Sequence, residues 1–136
     1  MAISSPFPAS QPSPSHYTTE DKVKAGLTAF FSIAEEWELS VEEQRALLGA
    51  PSRTTFYEWK KNKSGNVSRD TLDRLSYVVG IYKALRTLFS QAAASQWLRT
   101  PNQDPLFANR SPLQYLLGGS LVALSDVRRY LDWARG

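Results

Sequence analysis

The spacing of apolar residues predicts a chain built almost entirely from helices. From Thr19 onward, apolar positions recur at three- and four-residue intervals, and in the first predicted helix they are Val23, Leu27, Phe30, Phe31 and Ala34. No window sustains the alternation of apolar and polar residues that a half-buried strand requires. We therefore predict an all-α fold.

Capping signals divide the rest of the chain into further helices. A serine followed three residues later by Glu or Gln forms a capping box, and this pattern occurs at Ser40 and Ser111, while Ser52 and Ser68 are further cap candidates. An irregular loop with an exposed Phe107 is expected over residues 100–110. The helices predicted after the first one cover residues 41–48, 52–62, 69–89, 92–98, 112–117 and 121–133.

The helix predicted over 69–89 organises the domains. It carries two apolar faces, so it must be covered on two sides and should act as a spine. We expect it to join a helix-turn-helix bundle at 19–68 to a small helical domain at 90–136. Residues 1–18, rich in proline and serine, are predicted to form a disordered leader.

Composition excludes several classes of function. The chain has no cysteine and a single histidine, His16, which excludes thiol catalysis, thiolate metal sites and histidine clusters for zinc. The remaining carboxylates have the pattern of solvated helix faces. No enzyme activity, metal or cofactor is therefore expected. The absence of cysteine suits the reducing cytoplasm, and the N-terminus has no pattern of a secretory signal, so we expect a cytoplasmic protein. The longest uncharged apolar stretch, residues 111–125, is shorter than the roughly 20 residues of a spanning helix, so no membrane partner is expected.

The positive charge is concentrated in one segment. Of 16 basic and 13 acidic residues, four basic residues and one acidic residue, Glu58, lie within 52–63, which accounts for the whole net charge of +3. This segment is the second of two short helices joined by a glycine-containing turn, the pattern of a DNA-binding helix-turn-helix. Its apolar Phe56 and Trp59 should face the scaffold. The candidate DNA contacts are Arg53 for a guanine edge, Thr54, Tyr57, and Lys60, Lys61 and Lys63 for phosphates.

An alternative interpretation of these lysines is structural. Cations near a helix C-terminus interact favourably with the helix dipole, and a basic two-helix hairpin is common in proteins that do not bind DNA.

The C-terminal segment contains a second pattern. It resembles the toxin-binding domain of the Xre/MbcA/ParS antitoxin family, in which a Trp-Leu pair precedes a Pro-Asn loop, a Ser-Pro-Leu helix start follows, and the last helix ends in glycine. The helix-turn-helix also resembles that of the family through its Leu-Leu-Gly turn and aromatic pair before tryptophan. The residues that carry the resemblance are Trp97, Leu98, Pro101, Asn102, Ser111, Pro112, Leu113 and Gly136, with Leu47, Leu48, Gly49, Phe56, Tyr57 and Trp59 upstream.

This resemblance implies a type II antitoxin. Such a protein would sequester a cognate toxin, most often a RES-domain enzyme that destroys NAD or a related ADP-ribosylating enzyme, and would repress its own operon by binding operator DNA. A homodimer or higher oligomer is expected, because one helix-turn-helix reads one half-site of an operator and a dimer supplies two. A toxin that binds NAD needs a site for its pyrophosphate, and a cationic, aromatic helix end of the antitoxin is suited to filling that site. The candidate toxin contacts are therefore Arg110, Arg128, Arg129, Trp133 and Arg135.

Two alternatives stay open at this point. The chain is also compatible with a stand-alone transcriptional regulator whose C-terminal helices only dimerise. Within the C-terminal segment, Trp97 and Tyr130 fit the core as well as an interface, and the arginines fit a solvated surface.

Overall fold

The computed structural model describes residues 18–118 and 120–136, and these residues form seven α-helices and no strand. They are α1 Thr19–Glu36, α2 Val41–Leu47, α3 Arg53–Asn62, α4 Arg69–Leu88, α5 Gln91–Arg99, α6 Pro112–Leu117 and α7 Leu121–Arg135. The all-α prediction is confirmed. The predicted leader, except for Thr18, lies outside the described residues.

The four serine caps predicted from sequence are all present. Ser40, Ser52, Ser68 and Ser111 each accept a hydrogen bond from the backbone N–H three residues later. Ser40 and Ser111 form complete capping boxes. Such hydrogen bonds are local, so the sequence suffices to place them. The predicted helix ends are less accurate, since α5 is one residue longer at each end and α7 continues two residues past Trp133.

The predicted spine is α4. Its buried residues include Leu75 and Ile81, and the helix packs against α1 on one side and α7 on the other. At Gly80, α4 lies against the side chain of Arg128 of α7. A Cβ at this position would collide with the Arg128 guanidinium. One apolar core runs through all these helices.

A second connection joins α5 to the end of α1. Arg99 Nη2 donates to the backbone oxygens of Trp37 and Glu38, each at 3.0 Å. These carbonyls lie just past the last turn of α1, where a helix leaves acceptors without intrahelical partners. Arg99 thus fixes the start of the α1–α2 connection from the C-terminal half of the chain.

Candidate functional site

The helix-turn-helix is held to the bundle by the buried face of α3. Phe56 and Trp59 are both buried, and the Phe56 ring meets Phe31 of α1 edge-on at 5.6 Å. The orientation that the sequence predicts for α3 is therefore confirmed. The residues on its opposite face are exposed to solvent, so this face is accessible to a groove of DNA.

Five of the six candidate DNA contacts lie on the exposed side of α3. They are Arg53, Thr54, Tyr57, Lys60 and Lys61. Tyr57 keeps 48% of its surface exposed while its ring packs edge-on against Phe56 at 5.2 Å. A large, half-exposed aromatic ring with cations on both sides of it is suited to contact with a nucleic-acid backbone or base edge.

Lys63 lies apart from this group. It is the C-cap of α3 in a left-handed conformation, with φ of 52°. Its ammonium lies 5.5 Å from the centre of the Phe31 ring and donates to the carbonyl of Lys60 at 2.5 Å. The structure therefore brings Lys63 back toward α1 and the end of its own helix.

Arg53 has a partner that the sequence analysis missed. Its Nη2 lies 2.6 Å from Glu42 Oε2, in the first turn of α2. The other oxygen of Glu42 binds Arg45 Nη1 at 2.8 Å, and Arg45 Nε donates to the carbonyl of Pro51 at 2.9 Å. No periodic signal predicts the Glu42–Arg53 contact, because it depends on the angle between two helices.

Arg74 is a second residue that the sequence analysis missed. It is buried on α4, and its Nε donates to Asp70 at 2.7 Å. From there its Nη1 reaches the carbonyl of Ala46 at 3.5 Å, and the neighbouring Thr71 hydroxyl donates to the carbonyl of Leu48 at 3.3 Å. Two side chains of α4 thus bind the C-terminal carbonyls of α2 and hold the turn in place. The available signal was polar residues on the apolar side of α4.

An aromatic row crosses the C-terminal half of the chain. The rings of Phe89 and Trp97 are stacked at 6.3 Å, Trp97 and Tyr130 at 6.4 Å, and Tyr130 and Trp133 follow at 6.4 Å. The first three are half-buried, whereas Trp133 keeps 78% of its surface exposed. Trp97 and Tyr130 therefore lie in the interior of the row, and Trp133 forms its solvent-exposed end.

The expectation of an exposed Phe107 is wrong. Its side chain is fully buried beneath the aromatic row, edge-on to Trp97, Tyr115 and Tyr130 at 5.4–5.8 Å. The loop closes on itself because Asn102 and Arg110 pair their backbones, and Asn102 Oδ1 accepts from the backbone N–H of Asp104. Hydrogen bonds within the loop turn Phe107 inward, so the loop belongs to the core.

Four of the five candidate toxin contacts lie on α7, and they divide between two sides of that helix. Trp133 and Arg129 share one exposed stripe, where Arg129 pairs with Asp126 at 2.6 Å. Arg128 lies on the other side, packed against Gly80 and paired with Asp132 at 3.0 Å. The structure therefore does not bring Arg128 together with Trp133.

The two remaining candidates are Arg135, the last residue of α7, and Arg110, in the loop before α6. Arg135 pairs with Asp132 at 3.1 Å. Arg110 lies over the ring of Tyr115 at 5.2 Å and its Nε donates to the carbonyl of Phe107 at 3.2 Å. Both side chains are at least partly exposed, so each is available for an acidic or phosphate group.

Val122 extends the exposed stripe of α7. It precedes Arg129 by seven residues and Trp133 by eleven, so the three share one helix face. Val122 keeps 66% of its surface exposed. A valine outside the buried periodicity of α7 was the sequence signal for this position.

The hydroxyls of Tyr115 and Tyr130, both in the C-terminal half of the chain, keep their protons. Burial raises the pKa of Tyr115 above its usual value of 10.0, and the hydrogen bond to Asp126 Oδ2 at 2.9 Å raises it further. Burial likewise raises the pKa of Tyr130, with a contribution from the charge of Asp104. Both groups remain hydrogen-bond donors at neutral pH.

Within residues 18–118 and 120–136, no group of three or more His, Asp or Glu side chains is placed to hold a metal ion. Across the same residues, no helix combines the length and the apolar character needed to span a membrane.

Comparison with known proteins identifies both halves of the chain. Residues 18–80 match the antitoxin Xre-like helix-turn-helix domain, and residues 84–136 match the antitoxin Xre/MbcA/ParS C-terminal toxin-binding domain. The chain is also 46% identical over 116 residues to the uncharacterized protein y4oB of Sinorhizobium fredii, an alignment that covers 85% of this chain and 88% of that protein. The α3 surface falls in the first matched segment and the exposed stripe of α7 in the second.

Proposed function

This chain belongs to the Xre/MbcA/ParS-type antitoxins, and from that premise we propose that it neutralises a toxin that consumes NAD and represses its own operon. The proposed toxin is a RES-domain enzyme or a related ADP-ribosylating enzyme. DNA is assigned to residues 19–68, the toxin to residues 90–136, and α4 joins the two. Both tasks are placed in the cytoplasm, where operator DNA and NAD are found.

The observation that carries the toxin assignment is the exposure of Trp133. A tryptophan with 78% of its surface in water, at the end of an aromatic row, is costly to leave uncovered and is typical of an interface anchor. Arg129 shares its exposed helix face and is paired with Asp126, whereas Arg135 lies on the other side of α7 and is paired with Asp132. Such exposed pairs are weak, so a phosphate or acidic group of the toxin can replace the aspartate.

The toxin assignment is tested by co-expression with the product of the neighbouring gene. That product alone should stop growth and deplete cellular NAD, and this chain should restore both. Trp133→Ala should fail to restore them while keeping the wild-type melting temperature. A point variant is preferred to a truncation, because Leu131 is buried and its removal would damage the core.

Two outcomes would contradict the toxin assignment. A neighbouring gene product that does not harm cells would remove the proposed partner. Neutralisation by Trp133→Ala as complete as that of the wild type would move the interface away from the end of α7. Val41→Ala, a change of a half-buried residue in the other half of the chain, is the control for nonspecific loss of fold.

The DNA assignment depends on the outer face of α3. Arg53 near the N-terminus of the helix is placed for a base edge, and Lys60 and Lys61 for phosphates. Arg53→Ala should weaken binding to operator DNA more than binding to random DNA. Equal losses on both DNAs would contradict base reading by Arg53.

We also propose that the antitoxin reads its operator as a homodimer or higher oligomer. One α3 reads one half-site, so two copies are needed for a palindromic operator. Light scattering at concentrations that saturate the operator should give a mass above that of one chain. A monomeric mass under those conditions would contradict this part of the proposal.

A further inference from the structure

A carboxylate lies on the surface that α3 presents to DNA. Glu42 is in the first turn of α2, is 58% exposed, and contacts Arg53 at the start of α3. DNA carries about one negative charge per 1.7 Å of its length, so an acidic side chain at this place opposes binding by its charge. Its presence at the proposed reading surface therefore requires an explanation.

The contacts of Glu42 fix its carboxylate in one place. Oε2 pairs with Arg53 at 2.6 Å and Oε1 pairs with Arg45 at 2.8 Å, so each oxygen binds a different arginine. Arg45 is mostly buried, and its Nε donates to the carbonyl of Pro51, in the turn immediately before α3. The Glu42 carboxylate is thereby tied to the turn as well as to its own helix.

We propose that Glu42 positions the guanidinium of Arg53 for reading a base, an inference that rests on the proposed DNA-binding function. A free arginine side chain has many rotamers and loses that freedom when it binds. The contact with Glu42 engages Nη2 and holds the side chain before DNA arrives. Arginine carries five N–H donors, so enough of them remain for two acceptors of a guanine.

Positioning of Arg53 and simple charge repulsion predict different results for Glu42→Gln. If Glu42 mainly repels phosphates, removing its charge raises affinity for every DNA. If Glu42 mainly positions Arg53, removing its charge lowers the preference for operator over random DNA. The measured quantity is therefore the ratio of the two affinities at one salt concentration.

The experiment uses the full chain. A duplex that the wild-type protein selects from a random library serves as the operator. Glu42→Gln is expected to lower the ratio of operator to random affinity about 3- to 10-fold, and Arg53→Ala about 5- to 150-fold. The double variant is expected to match Arg53→Ala alone, because Glu42 acts through Arg53. Circular dichroism confirms that each variant keeps its helices.

Glu58→Gln is the matched control. Glu58 is an exposed carboxylate on α3 itself, and within the described residues it forms no ion pair. Its replacement removes the same charge from the same surface without touching Arg53. We expect it to raise affinity for both DNAs equally and to leave the ratio unchanged.

The outcomes separate this inference from the function on which it rests. A Glu42→Gln variant that binds both DNAs more tightly, at an unchanged ratio, would overturn the positioning role and leave DNA binding intact. So would a double variant in which the two losses simply multiply. Selection that enriches no sequence would overturn the proposed DNA reading, and this inference with it.

Discussion

Replacing Phe107 with alanine tests whether the loop between α5 and α6 belongs to the core. The side chain is fully buried, with the rings of Trp97, Tyr115 and Tyr130 around it at 5.4–5.8 Å. Removing the ring leaves a cavity beneath the aromatic row. We expect a large loss of folding free energy, although the position lies in a loop.

The magnitude follows from burial and from the rigidity of the loop. Core Phe→Ala substitutions cost about 3–5 kcal/mol, and the cost is higher where the surroundings cannot collapse. The backbone of Asn102 is bonded to that of Arg110 at 3.0 Å and to that of Asn109 at 2.9 Å, which holds the loop in shape. We therefore expect about 4–5 kcal/mol for Phe107→Ala and about 1–2 kcal/mol for Phe107→Leu.

Urea denaturation followed by far-ultraviolet circular dichroism measures both losses. Phe107→Ala should shift the midpoint strongly without changing the dependence on denaturant, and Phe107→Leu keeps the measurement possible if the alanine variant is largely unfolded. Gln103→Ala, an exposed position in the same loop, should stay within about 0.5 kcal/mol of wild type. A loss below about 1 kcal/mol for Phe107→Ala would refute the placement of the ring in the core.

Three further predictions concern DNA affinity, backbone geometry and pH. Lys61→Ala should weaken binding to any DNA and flatten the slope of log affinity against log salt by about one, and an unchanged slope would argue against a phosphate contact. Gly65→Ala should lower stability by about 1–3 kcal/mol in thermal melts. The cause is that Gly65 has φ of +154° and a Cβ there would lie 2.5 Å from Trp59 Nε1, so an unaltered melting temperature would contradict this close approach. The raised pKa of Tyr115 means that the folded chain holds this proton more tightly than the unfolded chain, so its stabilisation is complete below pH 10.0 and declines as the pH rises further. Tyr115→Phe should therefore lose less stability than wild type between about pH 9 and about pH 11, and parallel losses would exclude this contribution.

The sequence predicts those parts of the fold that depend on local contacts. The caps at Ser40, Ser52, Ser68 and Ser111 involve atoms three residues apart, and the buried face of α3 follows from helical periodicity. Both are decided before the helices pack together. For that reason the helix order and the exposed side of α3 are predicted correctly.

The parts that the sequence does not predict depend on how the helices meet. The burial of Phe107 requires the loop to close, and the Glu42–Arg53 contact requires the angle between α2 and α3. Arg128 is a different case. It precedes Trp133 by five residues, which places the two about 140° apart around a helix, so periodicity alone could have separated them.

The contact between Arg128 and Gly80 limits how the two matched segments, 18–80 and 84–136, can be exchanged between related chains. Gly80 is the last residue of the segment that matches the helix-turn-helix domain, whereas Arg128 lies in the toxin-binding domain. A chimera joined between residues 80 and 84 would pair the α4 of one parent with the α7 of another. Such a chimera folds only where the side chains of the incoming α7 fit the space that Gly80 leaves on α4. The two matched segments are therefore coupled through the packing of α4 against α7, and one cannot be exchanged without regard to the other.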